Sequence, residues 1–492
     1  MTIGTLVLSV AVVALVLTLI AGLGMRRVNN WLVSYLQNFT GALFVFSGWV
    51  KAIDPLGTAY KMEQYFAEFE STFQSTWFDF LAPLFPLFSD YSVTFSVVVI
   101  VFEILLGLML LIGAMRSFTA WAFFLLVAFF TFLTGFTYLT GYVPEGVNFF
   151  QFSQWGEYVE TNMKVTDCGC FGDFLKLEPR VSFLKDIVLL VPALLFLFMS
   201  GQMHQLFSRG ARVASLLIAT VGLTLYCFSN YVWDLPHTDF RPFKEGVNIW
   251  DRKAAEEEAQ ANVEILAYRM TNKETGKVVE LPYQQYLEEF KQYPKEEWKL
   301  EQVKSEPEVP RTKISDFEVA DINGNNVTEE ILTYPDYSFM IVAHHLYGDS
   351  ESELVTLKDS VYRMDTIRTT DSIRVERVLE GVKERQVSRE TYSWEQGYLE
   401  PWRQVLNPVL EKAKEADIRV FAVTAYADPA RIEDFKEASQ SDYPFLMADD
   451  ILLKTIVRSN PGIVLMKDGT IIGKWHYKQL PEFDSIQSGY IQ

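Results

Sequence analysis

The chain has 492 residues, with 43 Lys and Arg against 62 Asp and Glu, three Cys and a formal net charge of −19. That balance excludes a protein that holds nucleic acid on a basic surface. The averages, 49 % apolar and 21 % charged, conceal two unlike halves: residues 1–240 carry 11 basic and 16 acidic side chains and net −5, whereas the remainder carries 32 and 46 and nets −14.

Met1 to Met25 has no ionisable side chain, and its run LVLSVAVVALVLTLIAGLG is long enough for a hydrocarbon core that needs roughly 20 apolar residues. It is read as the first of about six spans. A cleaved signal peptide is the alternative, opposed by the missing basic n-region and the missing small-x-small cleavage site. The other spans are expected at Trp31–Val50, Val93–Ala114, Phe118–Tyr138, Phe183–Ser200 and Ala211–Tyr231. Lys and Arg near span ends are retained in the cytoplasm. Arg26, Arg27, Arg116, Arg209 and Arg212 fall after spans one, three and five, so these connections are assigned inward. Both termini and everything after Tyr231 then face outward, which in a two-membrane cell places the protein in the inner membrane with a periplasmic C-terminal half.

Ionisable groups at membrane depth are functional candidates because they are costly to bury. Lys51 and Asp54 close span two in SGWVKAIDPLG, Glu103 lies about halfway along span three, and Asp186 opens span five in FLKDIVLL. Snorkelling at the interface is the plain alternative for Lys51, Asp54 and Asp186. Glu103 is too deep for that, so it should be protonated or paired, and Lys51 is the expected partner.

The sharpest motif is TDCGCFGD, residues 166–173, in the outward loop before span five. A Cys168–Cys170 disulfide would close a small ring of poor geometry, giving a strained, exchange-competent bond in an oxidising compartment. Asp167 and Asp173 would raise the thiol pKa values, so fast exchange asks for a cation, with Lys164 and Lys185 as candidates. A purely structural disulfide stands as the alternative. Cys227, near the outer end of span six, is either a resolving partner or a buried small apolar residue. No metal is assigned: the nearest His is His204 on the opposite side, too few ligands for a closed zinc site.

Together, FVFSGWVKAIDPLGTAYKMEQYF, FEILLGLMLL, DCGCFGD and SFLKDIVLL resemble the DoxX/MauE-type membrane proteins, above all their longer bacteroidete members, over roughly residues 29–246. The resemblance implies a four-helix core, here spans two to five, and a kinship with redox and disulfide-maturation proteins. MauE is associated with assembly of a disulfide-rich amine dehydrogenase beside a thioredoxin-like partner. The family's association with electron transfer admits a quinone as cofactor, although no residue in the sequence marks a quinone pocket.

Residues 247–312 read as a charged helix at DRKAAEEEAQ, a hairpin in EILAYRMTNKETGKVVEL and a linker at SEPEVPRTK. From 313 to 492 strand and helix signals alternate. DFEVADINGNNVT is expected to be a strand and turn, YSFMIVAHH a buried strand, NPVLEKAKEA a helix, IRVFAVTA a strand, DPARIEDFKEASQ a helix, and IVLMKDGTIIGKWHY a hairpin. This order, with Pro461 before the hairpin, resembles the thioredoxin-like fold of peroxiredoxin and TlpA-type proteins, which implies a cis peptide at Pro461. The Cys-x-x-Cys that should follow YSFMIVA is absent; His344 and His345 stand there, followed by an insertion at about 347–397. Two adjacent His more often cap a strand than bind metal. The fold class expected is therefore a multi-pass α-helical membrane domain plus a periplasmic α/β thioredoxin-like domain without dithiol chemistry.

Three functions follow as expectations. The first is a membrane redox or maturation factor that exchanges disulfides through Cys168 and Cys170, with the outer domain docking a periplasmic client or a thioredoxin-like partner. The second is a non-enzymatic scaffold or accessory subunit of an envelope or respiratory complex. The third, suggested only by the resemblance, is a quinone-linked oxidoreductase.

Overall fold

The computed structural model describes residues 2–165, 168–368 and 373–491, and the chain divides into two compact units, Met1–Lys244 and Glu245–Gln492. In the first unit α1 (Ile3–Leu19) runs on through a π-helical turn to Gly24, followed by α2 (Trp31–Ile53), α3 (Pro55–Phe73) and the short α4 (Leu84–Asp90). Then come α5 (Ser92–Ile112), α6 (Arg116–Thr140), α7 (Pro179–Met199) and α8 (Arg209–Phe228).

Among the described residues five helical segments, not six, are long and apolar enough to cross a membrane: Ile3–Gly24, Ser92–Ile112, Arg116–Thr140, Pro179–Gln202 and Arg209–Trp233. Helix α2 falls outside that set because it carries Ser34, Gln37, Asn38, Thr40, Ser47 and Lys51, all buried against its neighbours. The two amides find partners within the bundle: Gln37 Nε2 donates to the Leu110 carbonyl at 2.6 Å and Asn38 Nδ2 to Thr18 Oγ1 at 2.9 Å. Glycines bring α2 and α5 together, since a Cβ on Gly107 would stand 2.8 Å from the Gly41 carbonyl oxygen. The end of α2 turns directly into α3, whose first residue is Pro55 and whose cap is Asp54.

The second unit opens with α9 (Ile249–Ala261) and a three-stranded antiparallel sheet of β1 (Ile265–Asn272), β2 (Val278–Pro282) and β3 (Trp298–Lys304), with α10 (Tyr283–Glu289) between the last two; the order is β2-β1-β3. The hairpin of β1 and β2 was expected and the third strand was not, because WKLEQVK follows a helix and has no turn signal tying it to β1. After α11 (Thr328–Leu332) come β4 (Tyr337–Ala343), a ribbon of β5 (Gly348–Arg368) and β6 (Ile373–Trp394), α12 (Gln396–Pro401), α13 (Asn407–Glu415) and β7 (Arg419–Thr424). The chain closes with α14 (Pro429–Ser439), β8 (Phe445–Met447), α15 (Asp450–Ile456), β9 (Gly462–Lys467), β10 (Thr470–His476) and α16 (Phe483–Tyr490).

The five-stranded sheet has the order β10-β9-β4-β7-β8, with β4, β7 and β8 parallel and β9 antiparallel to both β4 and β10. All seven residues of β4 are buried, as a central strand covered on both faces requires. The Asn460–Pro461 peptide before β9 is cis. The strand expected in DFEVADINGNNVT does not form: Asp321 Oδ1 accepts from the amides of Asn323 and Asn325, and this local turn leaves only isolated bridges at Ala320. Among the described residues the insertion before α12 is a two-stranded antiparallel ribbon of β5 and β6.

Candidate thiol site

Helix α5 starts at Ser92, so Glu103 lies about 16 Å along it at 1.5 Å per residue. Lys51, in the last turn of α2, places Nζ 2.7 Å from Glu103 Oε2, and both side chains are buried. The Lys51 ammonium also stands 5.3 Å from the centre of the Phe130 ring. A second pair lies on α7, where Lys185 Nζ is 2.6 Å from Asp186 Oδ1 and Thr134 Oγ1 of α6 donates to Asp186 Oδ2 at 3.0 Å. Each carboxylate is matched by one ammonium, which is how charge is tolerated at this depth.

The loop carrying the cysteines enters the bundle beside these pairs. Ser47 of α2 donates to the Cys170 carbonyl at 2.8 Å, Phe171 is fully buried against Phe46, and Lys185 Nζ is 5.7 Å from the Phe171 ring. Gly169 has φ +60°, and a Cβ there would meet Lys61 of α3 at 3.2 Å, so glycine lets the tripeptide lie close to α3. Burial pushes the Cys170 thiol up; Lys185 and Lys51 pull it down, while Asp186 and Glu103 push it further up. The balance leaves the Cys170 thiol above its ordinary value, with the charges of both ion pairs acting on it.

Cys168 faces a different group. The Tyr65 hydroxyl of α3 lies against the Cys168 sulfur and shares a 2.8 Å hydrogen bond with Thr137 Oγ1. Burial, then the Cys168 sulfur, raise the Tyr65 phenol well above its ordinary range, so it stays a neutral hydroxyl beside the thiol. Tyr65 was not singled out from sequence, since an aromatic residue on a helix rich in Phe and Tyr carries no mark of polar contact. Cys168 and Cys170 are both thiols, with no disulfide between them.

Of the six candidate site residues in this unit, Cys170, Lys51, Glu103 and Asp186 converge, and Cys168 is next in line through the tripeptide. Asp54 instead caps a helix, its side chain accepting from the Gly57 amide at 3.1 Å at the start of α3. Among the two candidate cations, Lys185 reaches Cys170 whereas Lys164 pairs with Glu68 at 3.2 Å. Asp167 lies outside the described residues. Cys227 is buried among Ala52, Val97, Ile100 and Ile104, an apolar setting.

In the second unit His344 is buried just after β4, with Nδ1 3.8 Å from an Asp450 carboxylate oxygen, and His345 Nδ1 shares a 3.0 Å hydrogen bond with the Tyr426 hydroxyl. Among the described residues no group of three His, Cys, Asp or Glu is placed to hold a metal ion.

Membrane-length helices with a cysteine tripeptide set between them, beside two buried ion pairs, define a multi-pass membrane protein with a candidate thiol site. Residues 29–144 match the family described as "Methylamine utilisation protein MauE", so α2 to α6 form a MauE-family membrane domain. The match begins where the resemblance was expected to begin but ends at 144 instead of 246, under a quarter of the chain and short of Cys168. No curated protein and no solved structure matches the chain.

Proposed function

We propose that the protein is an integral inner-membrane redox factor that matures periplasmic proteins by disulfide exchange at Cys168 and Cys170. The observation that carries this is the cysteine loop seated on α2 through the Ser47–Cys170 hydrogen bond, with the Lys51–Glu103 and Lys185–Asp186 pairs acting electrostatically on the Cys170 thiol. A lone structural cysteine needs no charged surroundings, whereas a sulfur that alternates between thiol, thiolate and disulfide needs a cation to hold the thiolate and acids to balance it. In one direction of exchange, the Cys170 thiolate attacks a partner disulfide, and the partner's distal sulfur leaves as a thiolate. Cys168 then gives up its proton and attacks the Cys170 sulfur. This closes the Cys168–Cys170 bond and releases the partner's second thiol. The reverse direction uses the same roles and oxidises a client dithiol. A quinone is the lipid-soluble oxidant class that would regenerate the disulfide. The family's description extends the reading to methylamine utilisation, with an amine dehydrogenase as the client class.

In this reading α2 also crosses the bilayer, its polar side chains turned into the bundle, which gives six spans and places both termini and the second unit on the periplasmic side. Arg26, Arg27, Arg116, Arg209 and Arg212 on the opposite side support that orientation. The second unit reads as a thioredoxin-like domain, supported by its strand order and by the hairpin β9–β10 following Pro461. With His344-His345-Leu346-Tyr347 after β4 in place of a dithiol, it docks a client or partner instead of reacting with it. The domain limits proposed are 1–28, 29–246, 247–312 and 313–492. Alkylation trapping in intact cells tests the exchange: both cysteines should cycle between oxidised and reduced forms with the client, and a Cys168→Ser/Cys170→Ser protein should lose maturation. A single fixed oxidation state together with full activity of the double variant would overturn it.

The accessory-subunit reading is favoured by one observation, the β5–β6 ribbon, on which Leu354, Tyr362, Leu379 and Val382 are exposed. Gentle purification that yields a stoichiometric envelope partner, lost on removing the ribbon, would support it.

A further inference from the structure

The segment between α3 and α5 has an outward face that the packing of the bundle does not use. On its inner side, Phe66, Phe73, Phe85, Phe88 and Phe95 pack ring on ring, with centroids 5.4 Å apart for Phe73 and Phe85 and 5.7 Å for Phe88 and Phe95. On its outer side Trp77 is 96 % exposed and Phe80 72 %, with Leu84 and Leu87 exposed beside them. Between Gln74 and Ser89 the sole ionisable residue is Asp79, which is exposed and whose carboxylate accepts from the Ser75 amide at 2.9 Å.

The depth of this segment is fixed by α6. Phe69 of α3 lies 6.3 Å from Phe132 and 4.9 Å from Phe136. Phe132 is eight residues before the end of α6, about 12 Å along the helix, and is exposed on a helix fit to cross a membrane. Phe69, one turn before the end of α3, is therefore level with a side chain exposed on that helix, and the exposed aromatic face follows the helix end, where Phe73 stacks on Phe150 at 5.7 Å. Irregular backbone enters an apolar layer only when its polar groups are satisfied locally. Most of the turn meets that condition: the amides of Ser75, Thr76, Phe78, Asp79, Leu81 and Ala82 have acceptors within residues 73–79.

We propose that residues 74–89 are a lipid-embedded interfacial segment, lying in the leaflet that holds the C-terminal end of α6, with Trp77 and Phe80 among the phospholipid acyl chains. Trp at the headgroup boundary and an apolar face without basic residues suit lipid rather than an anionic protein surface. The segment continues from the helix that sets Tyr65 against Cys168, so its anchorage also steadies the wall of the thiol site.

The test uses the full chain in its native membrane with p-benzoylphenylalanine in place of Trp77 and, separately, of Phe132. Irradiation should attach phospholipid at both positions, read as the mass of one lipid added to the protein. A protein adduct at 77, or no adduct there while 132 takes lipid, would overturn the proposal. Independently, in bilayers with brominated acyl chains, the emission that Trp77→Phe removes should already be quenched in the parent protein. Emission from Trp77 that bromine leaves undimmed would overturn it as well.

Discussion

At the scale of single residues, the buried charges follow from depth. Glu103 had to be neutralised because of its place along an apolar span, and Lys51, 2.7 Å away, does so. Removing one partner leaves an isolated charge, so Lys51→Met should cost about 3–5 kcal/mol. Lys51→Met/Glu103→Leu removes both charges and should be markedly more stable than the single variant. Denaturation of the purified variants in one detergent checks the order; a double variant as unstable as the single would show that the pair is not what holds these groups. Sequence position could indicate that Glu103 needs a partner, yet it could not separate Asp54, a helix cap, from Asp186, a member of the cluster, since both sit near span ends. Nor could it show Tyr65 beside Cys168, because that contact joins residues over one hundred positions apart through the packing of α3 on α6.

At the scale of elements, regular periodicity was legible and polar or self-paired elements were less so. The central strands β4, β7 and β9 read as continuous apolar runs, because both faces of the sheet are covered. The membrane-length helices read from hydropathy alone, whereas α2 gave a weaker signal because its interior side chains are amides and hydroxyls. Residues 347–397 read only as an inserted charged segment, since a ribbon wet on both faces lacks the alternation that a core imposes. Its strands of 21 and 22 residues would extend about 70 Å. The root is tied down by Trp394, whose Nε1 donates to Asp434 at 2.7 Å, and by Arg431 stacked 5.3 Å from its ring. The buried core around Trp402 and Phe435 is built without the rest of the ribbon. Replacing residues 350–391 by a short turn should therefore leave the melting temperature of the second unit nearly unchanged. A fall of more than about 4 °C, over about 1 kcal/mol for a domain of this size, would mean that the ribbon contributes to the core.

At the scale of the whole molecule, the chain divides at Lys244 and Glu245, and residues 245–492 are expected to fold alone. The first residues of that unit are stitched to its last hairpin: the Gly246 amide donates to Ile471 at 2.8 Å, the Ile249 amide to Gly469 at 2.8 Å, and Asn248 Nδ2 to the Asp468 carbonyl at 2.7 Å. The isolated unit should be soluble and unfold cooperatively, and its pH profile should report His344. Burial, followed by the nearby charges of Lys454, His345 and Arg458, lowers the pKa of His344 from 6.5 to about 3, while Asp450 stands 3.8 Å off. Between these values the unfolded chain binds a proton that the folded one refuses, so stability is full above pH 6.5 and falls as pH drops toward 3. From pH 6.5 to 4.5, before most carboxylates titrate, the loss should be about 2–3 kcal/mol. Urea titrations of the unit and of its His344→Phe variant over this window would separate the histidine from the rest. The variant should show a flatter profile; an equally steep one would place the acid sensitivity elsewhere and leave His344 as packing alone.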